Sequence, residues 1–361
     1  MSTRSGNASS SHPAASTSSP EALSEDPMRG ASASPVSPPS SPEAPPGGVG
    51  GDSSKAGGAA SKDEVRRILD EATARHLARN ARAVASAVAV AKAHGLTVKE
   101  PKVLAEACAV RVLLSPAPVV ARVSTVTAVL RAPIEPWLQR ELDVSAFLAA
   151  QGAPVVPPSD ELPATPFEHD GLHMSFWRYV QPAGDKPPET VVAAQMLGEL
   201  HAALRDYPGE LPELVPLGDI QRGLDRLAGE TTLVSVEDLA FMQRMADRIL
   251  GELRAVGLGP VQPIHGDAHV GNLIPVTGGW LWNDFEDTCL GPVGWDLCGL
   301  EAGDEMVAHA AYPGAPAPSR VTLFRNLRLL QGTLWAASCG RELPAWFEYV
   351  PMLLGQLRAL E

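Results

Sequence analysis

The spacing of apolar positions changes along the chain, and each change predicts an element. From Asp63 to His94 an Ala- and Arg-rich stretch reads as one long helix that Gly95 closes. Between Val98 and Ser124 the texture turns β-branched. Lys102-Val103-Leu104, Ala109 to Leu114 and Pro118 to Val123 read as three antiparallel strands, the last two joined by Ser115-Pro116-Ala117. A helix follows, with Pro136 in its first turn and Gly152 past its end. Trp137, Glu141, Val144 and Leu148 recur on it at helical spacing and mark a buried stripe. His173 to Val180 is a further strand, paired across Asp170-Gly171 with a shorter one. Beyond Pro187 the pattern is helical except for one hairpin, and no internal repeat is present.

That hairpin carries the chemistry. Asn272 to Val276 is a short apolar run, Thr277-Gly278-Gly279 a turn, and Trp280 to Asp284 a second run. A three-residue loop pairs Val276 with Trp280, Ile274 with Trp282 and Asn272 with Asp284, so an amide oxygen and a carboxylate share one face of the open end. Hard oxygen ligands of this kind suit Mg²⁺, which takes its other ligands from phosphates and water. Asp267 precedes the hairpin in a Gly-containing loop, where it can accept a proton from a hydroxyl. His265, Asp267, Asn272 and Asp284 together have the His-x-Asp-x-x-x-x-Asn…Asp spacing of a phosphoryl-transfer site.

His265-Gly266-Asp267-Ala268-His269-Val270-Gly271-Asn272, then Asp284-Phe285-Glu286-Asp287 and Gly291-Pro292-Val293-Gly294-Trp295-Asp296-Leu297, resemble the aminoglycoside phosphotransferase-like kinases, which include choline, homoserine and fructosamine kinases. The likeness extends more weakly from about Val98 to Gly340. It implies an α+β, bilobal protein-kinase-like fold with a small antiparallel-sheet lobe and a mostly helical lobe. It also implies ATP and Mg²⁺ as cofactors, Asp267 as catalytic base, and Asn272 and Asp284 as metal ligands. In such kinases a helix Glu pairs with a strand Lys that holds phosphates. The matching residues here are Glu141 and Arg122, unless Arg122 is an ordinary strand residue facing solvent. His265 is expected to orient the loop, and Asp296 to start a helix and brace it. Arg178 and Val180 fall where the hinge between lobes offers backbone groups to adenine. Glu286 and Asp287 are either ligands of a second Mg²⁺ or turn residues. The turn Ala105 to Ala109, expected to cover phosphates, has no glycine, and Arg122 stands where Lys is usual.

Composition bounds the rest. Residues 1–62 are dominated by Ser, Pro, Ala and Gly without an aromatic residue, so this segment is expected to be disordered. An N-terminal nucleotide-binding lobe is expected over 63–180 and a catalytic, substrate-binding lobe over 181–361. The formal net charge is −13, nearly all of it outside the first 62 residues. That acidity argues against a nucleic-acid partner. The segment lacks a signal-peptide core and no apolar run is long enough to span a bilayer, so a cytoplasmic protein without a membrane partner is expected. Cys108, Cys289, Cys298 and Cys339 form no Cys-x-x-Cys pair and read as small core residues. The expected activity is transfer of the γ-phosphate of ATP to a hydroxyl of a small molecule, such as an amino sugar or amino alcohol. Glu301, Asp304 and Glu305 either attract such an amine or form a solvated face. Two other readings are a catalytically silent kinase-like binder and a metallohydrolase using His265, Asp267 and His269.

Overall fold

The computed structural model describes residues 61–230, 232–301 and 306–361. Residues 1–60 of the segment expected to be disordered, and Asp304 and Glu305, lie outside them. Helix α1 (Lys62–Ala93) begins at Ser61, whose side chain accepts from the Glu64 amide at 3.1 Å. Gly95, at φ 87°, turns the chain out of it. Ala83, Ala87 and Ala91 are fully buried on one face, and their lack of bulk lets α1 lie close against the sheet.

The sheet is built from β1 (Val98–Glu106), β2 (Ala109–Pro116) and β3 (Val119–Ser124), then, after α2 (Thr127–Leu130) and α3 (Glu135–Ala150), from β4 (Phe167–His169) and β5 (Leu172–Arg178). Its order is β1-β2-β3-β5-β4, antiparallel throughout. Alternation gives its two faces different chemistry. Val110, Val112, Leu114, Ala121 and Val123 pack in the α1-facing core. Arg111, Val120, Arg122 and Trp177 line a cleft on the opposite face.

The remainder is mostly helical: α4 (Thr190–Leu204), α5 (Pro216–Leu227) and α6 (Val236–Val256), then α7 (Val293–Leu300), α8 (Val307–Ala311), α9 (Pro318–Ser338), α10 (Pro344–Phe347) and α11 (Val350–Arg358). Between α6 and α7 lie β6 (Gln262–Ile264), the hairpin β7 (Leu273–Val276) and β8 (Gly279–Trp282), and β9 (Cys289–Gly291). Helix α9 is the centre of this lobe, burying Phe324, Leu327, Leu330 and Leu334 against α5, α6, α7 and α11. The sequence did not reveal that β6 and β9 pair, which ties together the two ends of the segment that carries the motif. No helix of the described residues is long and apolar enough to cross a membrane.

Arg131, just after α2, fastens the sheet lobe to the helical one. Its guanidinium lies 2.7 Å from Asp219 on α5, 3.0 Å from Asp287 and 3.3 Å from Glu286. Its faces are covered by the rings of Trp137, at 4.3 Å, and Trp335, at 4.8 Å. Burial alone would lower its pKa, but the carboxylates raise it well above the ordinary value, so the cation is fixed. Arg131→Met should leave three buried carboxylates without this partner and destabilise the fold by about 3–5 kcal/mol. Chemical denaturation checks this, and a loss below about 1 kcal/mol would show that the lobes are held elsewhere.

Candidate active site

The loop that carries the motif leaves β6 at His265. Gly266 adopts φ +86°, and a Cβ there would lie 2.0 Å from the Asp287 carbonyl, so only glycine fits. Asp296 fixes the loop from beneath, accepting from the amide of His265 at 2.7 Å and that of Gly266 at 2.9 Å. His201 Nε2 is 2.9 Å from the same carboxylate, and its Nδ1 is 2.9 Å from the Tyr312 hydroxyl. Burial would raise the Asp296 pKa, but the bond from His201 and nearby positive charge hold it below the ordinary value. The expectation that Asp296 starts a helix needs correction. Helix α7 begins at Val293, and the carboxylate points to the loop rather than to the helix's own first amides.

The His265 ring accepts from the Asp267 amide through Nδ1 at 3.3 Å and donates from Nε2 to the Asn283 carbonyl at 3.1 Å. It packs on Phe285 with ring centres 4.7 Å apart, and burial lowers its pKa, which favours the neutral ring that this bonding requires. His265 is therefore built into the loop. The Asp267 side chain keeps 29 % exposure, enough to meet a ligand. Arg328 on α9 reaches its Oδ1 at 2.6 Å and His269 lies 3.6 Å from its Oδ2. Burial pushes the Asp267 pKa up, yet His269 and Arg328 together hold it well below the carboxylate range. With the His265 ring turned to Asn283, the trio His265, Asp267 and His269 does not converge on one point. Among the described residues no group of three His, Cys, Asp or Glu is arranged to hold a metal.

The hairpin register differs from expectation by one residue. Its loop is two residues, Thr277-Gly278, with Gly278 at φ 93°, so Val276 pairs with Gly279 and Leu273 with Trp282. Asn283, not Asp284, stands against Asn272, donating to its carbonyl from the amide at 3.0 Å and from the side chain at 2.9 Å. Asn272 is buried and its Nδ2 donates to the Asp267 carbonyl at 2.9 Å. Asp284 reaches the cleft by another route, a left-handed kink at φ 67° just beyond the hairpin.

Asp284 then meets the sheet. Arg111 lies 3.0 Å from its Oδ2 and Arg122 lies 3.1 Å from its Oδ1. These arginines stand directly opposite one another on β2 and β3, a repulsive pairing without the carboxylates between them. Arg122 is buried, 3.2 Å from Glu141 and 2.7 Å from Glu286. It does not face solvent. Burial raises the Glu141 pKa to about 8, against the pull of Arg122. Both oxygens of Glu286 are engaged, by Arg122 and by Arg131, so the geometry gives Glu286 a bracing position and not that of a metal ligand. Asp287 is likewise turned to Arg131.

The glycine-free turn between β1 and β2 is bolted down. The Cys108 carbonyl accepts from the amides of Thr125, Val126 and Thr127 and from two threonine hydroxyls. Its side chain packs with Cys339 and Leu343 of the helical lobe, and burial pushes its thiol up to about 12. All four cysteines are buried and free. At the hinge, the Arg178 amide donates to Pro157 and the Tyr179 amide to Pro118, while the Arg178 side chain pairs with Asp160. Val180 lines the cleft, with Val120, Val156 and Ile274 nearby on its walls. The cleft holds about 560 Å³, within the range of small-molecule sites. Arg111, Arg131, Arg328 and Asp219 were not singled out from the sequence.

Asp296→Asn leaves one loop amide facing a donor instead of an acceptor and should cost about 1–3 kcal/mol at neutral pH. Because the native pKa is depressed, this stability is present above the unfolded carboxylate value of about 3.9 and is lost as pH falls through the native one. Urea unfolding across pH should therefore show wild type and variant converging in acid; a constant gap would contradict the brace.

The phosphotransferase enzyme family (APH) matches residues 118–311, more than half of the chain. No curated protein sequence matches it. Solved structures share its fold. Spectinomycin phosphotransferase APH(9)-Ia, solved with ADP and spectinomycin, aligns at 11 % identity and TM-score 0.54 over 75 % of this chain and 96 % of that one. A choline/ethanolamine kinase family protein from Mesorhizobium loti aligns at 19 % identity and TM-score 0.51, over 81 % and 94 %. Choline kinase LicA from Streptococcus pneumoniae aligns at 12 % and 0.51, over 74 % and 96 %. The loop that Asp296 braces and the sheet arginines over Asp284 thus lie on a kinase-like scaffold, and the chain belongs to the phosphotransferase enzyme family.

Proposed function

We propose that the protein transfers the γ-phosphoryl group of ATP to a hydroxyl of a small molecule, with Mg²⁺ as the neutralising ion. The observation that carries this reading is Asp284 in a cleft with Arg111 and Arg122 on its carboxylate, next to a loop that presents a part-exposed Asp267. Residues 63–180 then act as the nucleotide lobe and 181–361 as the catalytic and acceptor lobe. The apolar walls at Val120, Val156 and Ile274 suit a purine, and the backbone at Val180, rather than Arg178, meets its edge. Spectinomycin phosphotransferase APH(9)-Ia, which shares this fold, was solved with ADP bound.

Asp284 and the Asn272 amide oxygen offer the hard, few-ligand set that Mg²⁺ takes. When bound, the ion would draw charge off the transferring group. Arg111 and Arg122 then exchange the Asp284 carboxylate for phosphate oxygens, with Glu141 and Glu286 keeping Arg122 in place. Asp267 aligns the acceptor hydroxyl. Its lowered pKa makes it a weak base, so it receives the proton late, after most of the charge has moved. A silent nucleotide binder is the second reading, favoured by the pinned turn at Cys108 and by the arginines already seated on Asp284.

Asp284→Ala should abolish Mg²⁺-dependent tightening of ATP in calorimetry; tightening that survives would remove Asp284 from the metal site. Asp267→Asn should bind Mg·ATP normally yet turn over an acceptor at least ~10²-fold more slowly, the scale of general-base catalysis. A hydroxyl-acceptor panel with labelled ATP supplies the substrate. Tight Mg·ATP binding without transfer to any acceptor, or to water, would favour the silent binder.

A further inference from the structure

The loop His265–Asn272 carries no Lys or Arg, yet a half-buried cation enters it from elsewhere. Arg328 projects from α9 beneath Trp295, its guanidinium 5.5 Å from that ring. Nη2 is 2.6 Å from Asp267 Oδ1 and Nη1 is 3.3 Å from the Gly266 carbonyl. Beside it the backbone of α7 closes on the loop at Gly299, where a Cβ would lie 2.1 Å from the Ala268 carbonyl. The same side chain lines the cleft beside His269 and Asp284.

A guanidinium has five N–H donors, and these two bonds use only part of the set. If Arg328 served only to neutralise Asp267, it would weaken the group expected to take the acceptor's proton. Its remaining donors give it a second task. We propose that Arg328 is a catalytic residue that contacts the phosphoryl group in flight, supplying from α9 the cation that the catalytic loop lacks. The proposal rests on the phosphotransfer reading above.

In the step, the bond from γ-phosphorus to the bridging oxygen breaks and that oxygen leaves as ADP. A bond forms from phosphorus to the acceptor oxygen, and the acceptor's proton passes to Asp267. Arg328 exchanges no proton. It holds Asp267 with one edge and, with the other, the equatorial phosphoryl oxygens over which the transition state's charge is spread. Neutralising that charge matters less in the ground state, so the effect appears in turnover rather than in nucleotide affinity.

The test needs no knowledge of the acceptor, because Mg·ADP with aluminium fluoride mimics the transferring group and water can replace the alcohol. Fluoride should tighten Mg·ADP on the wild type at least ~10-fold, as expected of a transition-state mimic. Arg328→Met should bind Mg·ADP within about threefold of wild type, gain almost nothing from fluoride and hydrolyse ATP at least ~10²-fold more slowly, below the range of in-cis arginines. Arg328→Gln separates the two roles, since its amide can still hold Asp267 but brings no charge. Loss of fluoride tightening in the Gln variant supports the proposal, and it decides the matter should the Met variant fail to fold. Wild-type tightening in Arg328→Gln would overturn the proposal and leave phosphotransfer standing. A wild type that neither binds Mg·ADP nor responds to fluoride overturns both.

Discussion

The structure depends on two arginines buried between the lobes, each surrounded by carboxylates drawn from distant parts of the chain. Arg122 gathers Glu141, Asp284 and Glu286; Arg131 gathers Asp219, Glu286 and Asp287. Glu286 is common to both, so the two clusters form one network spanning β3, α3, the catalytic segment and α5. Arg140 adds a further tie, donating to the Glu286 carbonyl from α3. Desolvating so many charges is costly, and such a network is a poor source of stability by itself. What it supplies is position. Lobe orientation, the position of Glu141 on α3 and the kink at Asp284 are fixed by the same few contacts.

The fold was legible because its signals are local. Alternation over Ala109 to Val123, the Asp170-Gly171 turn and the Ala-rich first helix each needed only a short window. The motif from His265 to Asp284 is also contiguous. What failed was turn length. Both joints, Ser115-Pro116-Ala117 and Thr277-Gly278-Gly279, read as three-residue connections; both are shorter, and the register assigned to the second is shifted by one. That slip matters because a period of two sends the wrong residue to the shared face. Asn283 occupies the position assigned to Asp284, and the left-handed backbone at Asp284 had no sequence signal.

The missed residues share a different cause. Arg111 meets Asp284 across 173 positions, Arg131 meets Asp219 across 88, and Arg328 meets Asp267 across 61. Contacts of that range leave no local pattern. Arg111 was the recoverable one, since the true strand register puts it directly across from Arg122, and two opposed arginines on a sheet require an anion. Arg131 and Arg328 look like ordinary helix-end and helix residues until the lobes are assembled. Glu141 stood out because a carboxylate on an apolar stripe needs a partner, and Arg122 was named as that partner because the resemblance implies a helix Glu paired with a strand cation.

The network also bears on how a ligand would be received. Within this network Asp284 lines the cleft, and Arg122 and Arg111 hold its pKa below the ordinary value despite burial, so it stays an anion. A cation at Asp284 is therefore favourable, but it must displace two guanidinium contacts. Phosphate oxygens need those guanidinium groups, but they must first leave Asp284. Each ligand relieves the cost the other imposes: nucleotide draws the arginines away as the ion takes the carboxylate. Under the phosphotransfer reading, metal and nucleotide are coupled through one exchange of partners, and by linkage each must raise the affinity of the other by the same factor. The pinned turn at Cys108 and the rigid anchor at Glu141 and Glu286 leave this exchange of side chains, rather than movement of the turn, as the available response.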